Sequence, residues 1–241
     1  TENGWYAVEQ ALSVAGREEG RLIGLHVLPS EEERNSAKIE ALEAEFKVRC
    51  DTAGVTGHWI VEIGRVASAI CEWSRWCDLT VAGLTHPPKD RPLSRLGSGF
   101  RALIQQCSTP ILAVPPFPSS MQRALLAYDG SPKADEALFV STYLAGQWEI
   151  PLAVVSVGER GRATSEALDK AWKYLTEHGV EAEYVSKRGT VGKVVSETAR
   201  EFESELIVMG GYGFSPVLQI VLGSAVDQVL RASRQPVLIC R

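Results

Sequence analysis

The 241-residue chain lacks most of the patterns by which a sequence announces its chemistry. It has no apolar run near the ~18 residues that a membrane span requires, and no signal-peptide pattern opens it. Its five cysteines (Cys50, Cys71, Cys77, Cys107, Cys240) form no CxxC pair. Their odd number and scatter suit reduced core thiols in a cytoplasm better than a disulfide framework. The four histidines (His26, His58, His86, His178) lack the spacing of metal ligands, so no metal site is expected. Neither GxxxxGK[ST] nor GxSxG occurs, which excludes the P-loop and nucleophile-elbow enzymes. Positive charge is in deficit: 25 Lys and Arg stand against 30 Asp and Glu, a net charge of −5. That balance argues against a general affinity for nucleic acid or for an anionic membrane. With 45% hydrophobic and 23% charged residues, the composition is that of a soluble globular protein, read as cytoplasmic.

What the sequence does contain is a repeat. Adding 130 to Ala7, Ala15 and Val27 gives Ala137, Ala145 and Val157. The offset then slides to 125–127, where Gly64 answers Gly189, Gly83 answers Gly210, Gly97–Ser98 answers Gly223–Ser224, and Pro110 answers Pro236. PILAVPP and PVLICR close the two copies alike, and PPFPSSMQ (115–122) between them reads as a linker. Two domains are expected, 1–116 and 122–241.

In the second copy, RALLAYD (123–129), LAVVSV (152–157), EAEYVSKRG (181–189), SELIVMG (204–210) and PVLIC (236–240) read as strands. Most are continuous apolar runs, as strands buried on both faces of a parallel sheet must be. Helical patterns alternate with them: 131–146, 163–178, 190–202 and 224–233. Ala167, Ala171 and Tyr174 form one face of the second, and Gly179 suits its C-terminal stop. The alternation predicts a doubly wound α/β layer sandwich. Nothing in residues 1–122 answers RALLAYD, whose strand would be central in such a sheet. The expectation is that the natural protein carries about ten more N-terminal residues supplying that strand and an Asp-Gly; the alternative is a copy that truly lacks it.

The stretch VMGGYGFSPVLQIVLGS (208–224) joins a strand end to a helix start. Glycines let a ligand approach bare backbone. Ser224 is a fit N-cap with Asp227 three positions on as in a capping box, and Val226, Val229 and Leu230 make an apolar stripe. Free N–H groups at that helix start favour an anion such as phosphate. If the winding reverses between the strands ending at Asp129 and Met209, then Asp129, Gly210 and Ser224 surround one crevice. Asp129 would accept hydrogen bonds from a ribose.

Gly210-x2-Gly213-x9-Gly223-Ser224, preceded by IVM and followed by a helix and PVLI, resembles the nucleotide-binding signature of universal stress proteins. LLAYDGSPKADEAL resembles that family's first strand and helix. Because the resemblance covers both halves, the chain is similar to a tandem universal stress protein. It implies two doubly wound domains, each a five-stranded parallel sheet flanked by helices, of the adenine nucleotide alpha hydrolase-like kind. It also implies a dimer-like pairing of the domains, with a homodimer a further option, and ATP or a related adenine nucleotide (AMP or ADP), with Mg²⁺, as ligand. Carried over by position, adenine and ribose would lie near Ala127, Tyr128, Asp129 and Val157. Phosphates would meet Gly210, Gly213, Gly223, Ser224 and Ala225, with Met209 lining the pocket.

The first copy departs from this pattern in VAGLTHPPKDRPLSRLGSGF. His86 stands where the second glycine belongs, Pro87 and Pro88 remove two N–H donors, and ten residues rather than nine precede Gly97. Weak or no nucleotide binding is expected there. Lys89, Arg91 and Arg95 with Gly97–Ser98 suggest an anion site, a solvated loop or a domain contact. Adenylating relatives of similar architecture carry SGGxDS after the first strand; YDGSPKADE lacks that glycine pair, and no catalytic base is evident. A regulatory nucleotide-binding protein is therefore the leading reading, with a weak ATPase or a nucleotide-independent dimerisation partner as alternatives. Five of the six tryptophans (Trp5, Trp73, Trp76, Trp148, Trp172) lie in or beside helical patterns, where packing is expected to explain them. SEEERNSAKIEALEAEF near 30–46 reads as an amphipathic helix with a solvated face.

Overall fold

Apolar runs between turn residues become strands, and the stretches with a helical apolar face cover them. In the computed structural model, which describes residues 2–34, 36–84, 99–117, 119–158, 163–212 and 225–241, the first half runs α1 (Glu2–Arg17), β1 (Arg21–Leu28), α2 (Ala37–Ala53), β2 (Thr56–Ile63), α3 (Val66–Trp73), β3 (Thr80–Gly83), α4 (Gly99–Gln106) and β4 (Ile111–Val114). The second half runs β5 (Ala124–Ala127), α5 (Pro132–Gln147), β6 (Leu152–Gly158), α6 (Ala163–Glu177), β7 (Ala182–Arg188), α7 (Val191–Glu201), β8 (Leu206–Gly210), α8 (Ala225–Ala232) and β9 (Val237–Cys240). Each strand and helix expected in the second copy is present, and Gly179, at φ +70°, follows α6 as its stop.

The strands form one seven-stranded sheet, ordered β3-β4-β9-β8-β5-β6-β7, and a separate parallel pair, β1-β2. Within the second half, β9-β8-β5-β6-β7 are all parallel, wound outward in both directions from β5. The second half has the five parallel strands expected of it, and no strand among the described residues corresponds to β5 in the first half. Its four strands stand as two parallel pairs, β1-β2 and β3-β4, because no strand among the described residues lies between β1 and β3. The two halves meet edge to edge, with β4 antiparallel to β9.

Alternate residues of a strand face opposite sides, so the large sheet has two cores. On one side Leu126, Tyr128, Val154, Val208 and Leu238 pack beneath Ala137 and Leu138 of α5 and Ala171 and Leu175 of α6. On the other, Leu125, Val155, Ile207, Met209 and Ile239 meet Leu103 of α4, Val195 of α7, and Val229 and Leu230 of α8. A smaller cluster of Leu12, Ala15, Phe46, Cys50 and Val55 serves β1-β2.

Two local expectations change. The acidic stretch is not one helix: Glu31–Glu33 form a 3-10 turn, and α2 begins at Ala37 after an extended Ser36, burying Ile39, Phe46 and Cys50. Trp76 and Trp172 are 79% and 56% exposed, so packing does not explain them.

The linker is a fastened strap. Gln10 Nε2 donates to Ser119 O at 3.0 Å, and Arg17 donates to Ser120 O at 2.7 Å and Met121 O at 3.1 Å. Met121 is fully buried. Ser120 Oγ and the Gln122 N–H (2.8 Å) both donate to the Glu205 carboxylate. These bonds, the Ser120 hydroxyl first, hold that carboxyl below its ordinary value of 4.5. A depressed acid stabilises the fold above its ordinary value, and that contribution disappears as pH falls through the folded-state value. The expected outcome is that Glu205→Gln lowers Tm at pH 7 and flattens the fall of Tm below pH 4.5, read by circular dichroism melts across pH.

Candidate functional site

The winding reverses between β5 and β8, and at such a reversal the carboxyl ends of the strands open a crevice. Ala127 lies opposite Val155 on one side and Met209 on the other. Ala127, Val157 and Met209 belong to the same apolar cluster, with Met209 buried and the other two half-buried. Beyond β5 the chain turns through Asp129 and Gly130. The exposed Asp129 accepts the Ser131 N–H on Oδ1 at 3.0 Å, and its Oδ2 has no partner among the described residues. Ser131 caps α5 by accepting the Ala134 N–H at 3.3 Å, with Pro132 in the first turn.

Gly210 ends β8 against the start of α5. A Cβ there would lie 2.6 Å from both the carbonyl carbon and oxygen of Lys133, and 2.8 Å from the Ala134 nitrogen. The glycine is therefore required by the approach of a helix backbone, before any ligand is considered.

Tyr128 does not join Ala127, Val157 and Met209. As the next residue along the strand, its ring faces the opposite core, where it is 2% exposed and donates from its hydroxyl to Asp135 Oδ1 at 2.6 Å. Burial, followed by the Asp135 hydrogen bond, pushes its phenol above the ordinary value. Ala225 opens α8, and Val226, Val229 and Leu230 are buried as the stripe requires. Gly213, Gly223 and Ser224 lie outside the described residues, as do His86, Pro87, Pro88, Lys89, Arg91, Arg95, Gly97 and Ser98. Among the described residues no group of three or more His, Cys, Asp or Glu side chains could hold a metal.

A charged cluster beside the glycine loop was not anticipated. Asp227 is fully buried, and it accepts Tyr212 OH at 2.5 Å and Arg101 Nη1 at 3.4 Å. The Arg101 guanidinium, itself only 4% exposed, sits 4.9 Å from the Tyr212 ring centroid. Tyr212, inside the GGYG run, is thus held by a residue of each half. Arg101 and Asp227 occupy the same place in the two copies, since 101 + 126 = 227. Opposite charges at equivalent positions were the available sign of this contact.

Removing one member of a buried ion pair leaves the other uncompensated, which costs about 3–5 kcal/mol. Arg101→Met is therefore expected to lose that much in urea denaturation. Arg101→Asp combined with Asp227→Arg is expected to be more stable than the sum of the two single losses predicts, since the pair forms one interacting unit. Gly210→Ala is expected to lower Tm in circular dichroism melts, because the new methyl meets α5 backbone.

The universal stress protein family model matches residues 121–241. A universal stress protein of Synechocystis sp. is 29% identical over 151 residues, covering 61% of this chain and 52% of its own length. Another, from Bacillus subtilis, is 27% identical over 145 residues, 49% of this chain and 98% of that protein. This chain thus spans about half the length of the Synechocystis relative. The crystal structure of a universal stress protein from Archaeoglobus fulgidus superposes with a TM-score of 0.82 at 22% identity, over 100% of this chain and 93% of that one. Sheet order, helix placement and a family match over the whole second half lead to one conclusion: the chain belongs to the universal stress protein family.

Proposed function

We propose that this protein is a cytoplasmic stress-response regulator that binds ATP, or AMP or ADP, in the crevice between β5 and β8 of its C-terminal half. The observation that supports this reading is the meeting of Ala127, Asp129, Val157 and Met209 at the reversal of winding, with the start of α8 closing the glycine loop. Ala127, Val157 and Met209 offer an apolar surface for adenine, to which Tyr128 contributes main chain only. Asp129 Oδ2 is the acceptor for a ribose hydroxyl, its Oδ1 being engaged by Ser131. Gly213, Gly223, Ser224 and Ala225 would receive the phosphates through N–H groups, and Mg²⁺ would accompany a polyphosphate.

The protein is a tandem pair, domains 1–116 and 122–241, in which the first copy has lost its nucleotide loop to His86, Pro87 and Pro88. We read its role as regulatory, with Asp129 at the crevice assigned to the ribose rather than to catalysis. No helix among them is long and apolar enough to cross a membrane.

Calorimetric titration with ATP and Mg²⁺ tests the reading. One site per chain is expected, abolished by Gly223→Val and weakened about tenfold by Asp129→Ala, the worth of one hydrogen bond of about 1.4 kcal/mol. Two equivalent sites would overturn the assignment to the C-terminal half. No heat, with no nucleotide extracted from the purified protein, would overturn nucleotide binding itself.

A further inference from the structure

Two of the five cysteines meet in the first half. Cys71 stands on α3, and Cys107 directly follows α4. Both belong to the apolar layer these helices share with the second half, Cys107 fully buried and Cys71 half-buried. Their thiols are hydrogen-bonded to one another. Ser74, one turn after Cys71, fixes the approach. Its hydroxyl donates to Cys71 O at 2.8 Å, and its Oγ accepts the Ser108 N–H at 3.2 Å. The helix turn that carries Cys71 is thus pinned to the residue next to Cys107. The other thiols lie apart: Cys240 is in the opposite core, Cys50 is in the cluster serving β1-β2, and Cys77 donates to Trp73 O at 3.5 Å.

The repeat shows that packing does not demand this pair. At offsets of 125 and 126, Cys71 answers Ser196 and Cys107 answers Ser233. Those serines do not bond each other. Ser196 Oγ is buried without a partner among the described residues, and Ser233 Oγ donates to Gln235 O at 3.0 Å. Ser196, over a five-stranded sheet, is half-buried as a residue, so the exposure of Cys71 goes with this helix face rather than with the number of strands beneath it.

We propose that Cys71 and Cys107 form a modification site, a dithiol that a peroxide oxidises to a disulfide joining α3 to the end of α4. The thiolate of Cys71 attacks one oxygen of hydrogen peroxide, the O–O bond breaks, and the departing hydroxide takes up the proton Cys71 gave, leaving as water. Cys71 then carries a sulfenic acid. The sulfur of Cys107 attacks the Cys71 sulfur, the S–S bond forms and the S–O bond breaks. The second hydroxide leaves as water with the proton of Cys107. Two thiols are oxidised by two electrons in all, and one peroxide is reduced to two waters. Burial sets the order of the sulfurs. With the Cys71 hydrogen bond it pushes the Cys107 thiol up to about 12, so the half-buried Cys71 is the sulfur an oxidant reaches first. The link braces α4, the first-half helix whose Arg101 meets Asp227 and Tyr212.

The test treats the folded, reduced 241-residue chain with hydrogen peroxide, blocks the remaining thiols by alkylation and digests with trypsin. The expected result is the loss of two hydrogens from the intact mass and a species joining peptides 66–75 and 102–123, both reversed by dithiothreitol. Cys71→Ser and Cys107→Ser, each installing the residue of the second half, abolish the joined species, and Cys77→Ser leaves it in place. In the Cys107→Ser chain, dimedone traps the sulfenic acid on Cys71. Three results would overturn the proposal: a species joining 66–75 to 76–89 instead, a joined species that appears only after unfolding in urea, or Cys71 unchanged at a peroxide dose that fully oxidises free glutathione. Sulfinic acid on Cys71 of the unmodified chain, with Cys107 still a thiol, would likewise overturn it.

Discussion

The antiparallel pairing of Ile111, Leu112 and Ala113 with Ile239, Leu238 and Val237 is the contact on which both halves rest. Every one of these six side chains is buried, and they alternate between the two cores. β3 and β4 have no complete core of their own. Their residues finish layers that draw most of their members from the second half, so separating β4 from β9 would open both cores at once. With each fully buried aliphatic side chain worth about 1.5–3 kcal/mol, this short ladder holds much more than its main-chain bonds suggest.

The ladder also sets a local twofold relation. Leu112 pairs with Leu238, its own counterpart at an offset of 126, while the Ile111–Ile239 and Ala113–Val237 pairs exchange under the same offset. At such an axis a residue meets its equivalent. Two identical copies would bury Asp against Asp or Arg against Arg at the place of Asp227 and Arg101, and a buried like-charge pair is strongly unfavourable. The duplicated chain avoids this by having diverged to opposite signs there. Divergence thus makes the pairing within one chain the favoured one. It also places a first-half side chain on Tyr212, at the entrance to the glycine loop of the second half.

The second half was legible from its residues because parallel strands buried on both faces read as unbroken apolar runs, and its helices carry apolar faces at helical spacing. LAVVSV and SELIVMG needed no tertiary information. What stayed hidden concerned partners distant in the chain. Gly210 signalled a close approach, yet nothing local distinguishes a ligand from the α5 backbone that takes the space. Asp227 fits a capping box by its three-residue spacing from Ser224, whereas its buried partner lies 126 positions away. Tyr128 is different, because strand alternation beside Ala127 already implied that the two side chains part. Trp76 and Trp172 show the limit of the helical pattern as a guide to burial.

Helix α1 decides how the remainder is held. It packs against both β3 and β1, while its end is tied to the second half. Glu18, just past α1, accepts Tyr143 OH at 2.6 Å and Trp148 Nε1 at 2.5 Å, and the Arg17 guanidinium lies 4.6 Å from the Trp148 ring centroid. The β1-β2 pair has no sheet bond to the rest among the described residues, so helix packing and the small cluster around Phe46 position it. A region with few buried contacts opens at lower free energy than the core strands. Opening of β1-β2 would leave the crevice elements untouched, because β5, β6, β8 and α8 all belong to the second half. The fold thus separates a firmly paired centre, where the candidate nucleotide site lies, from a flank held by helix packing.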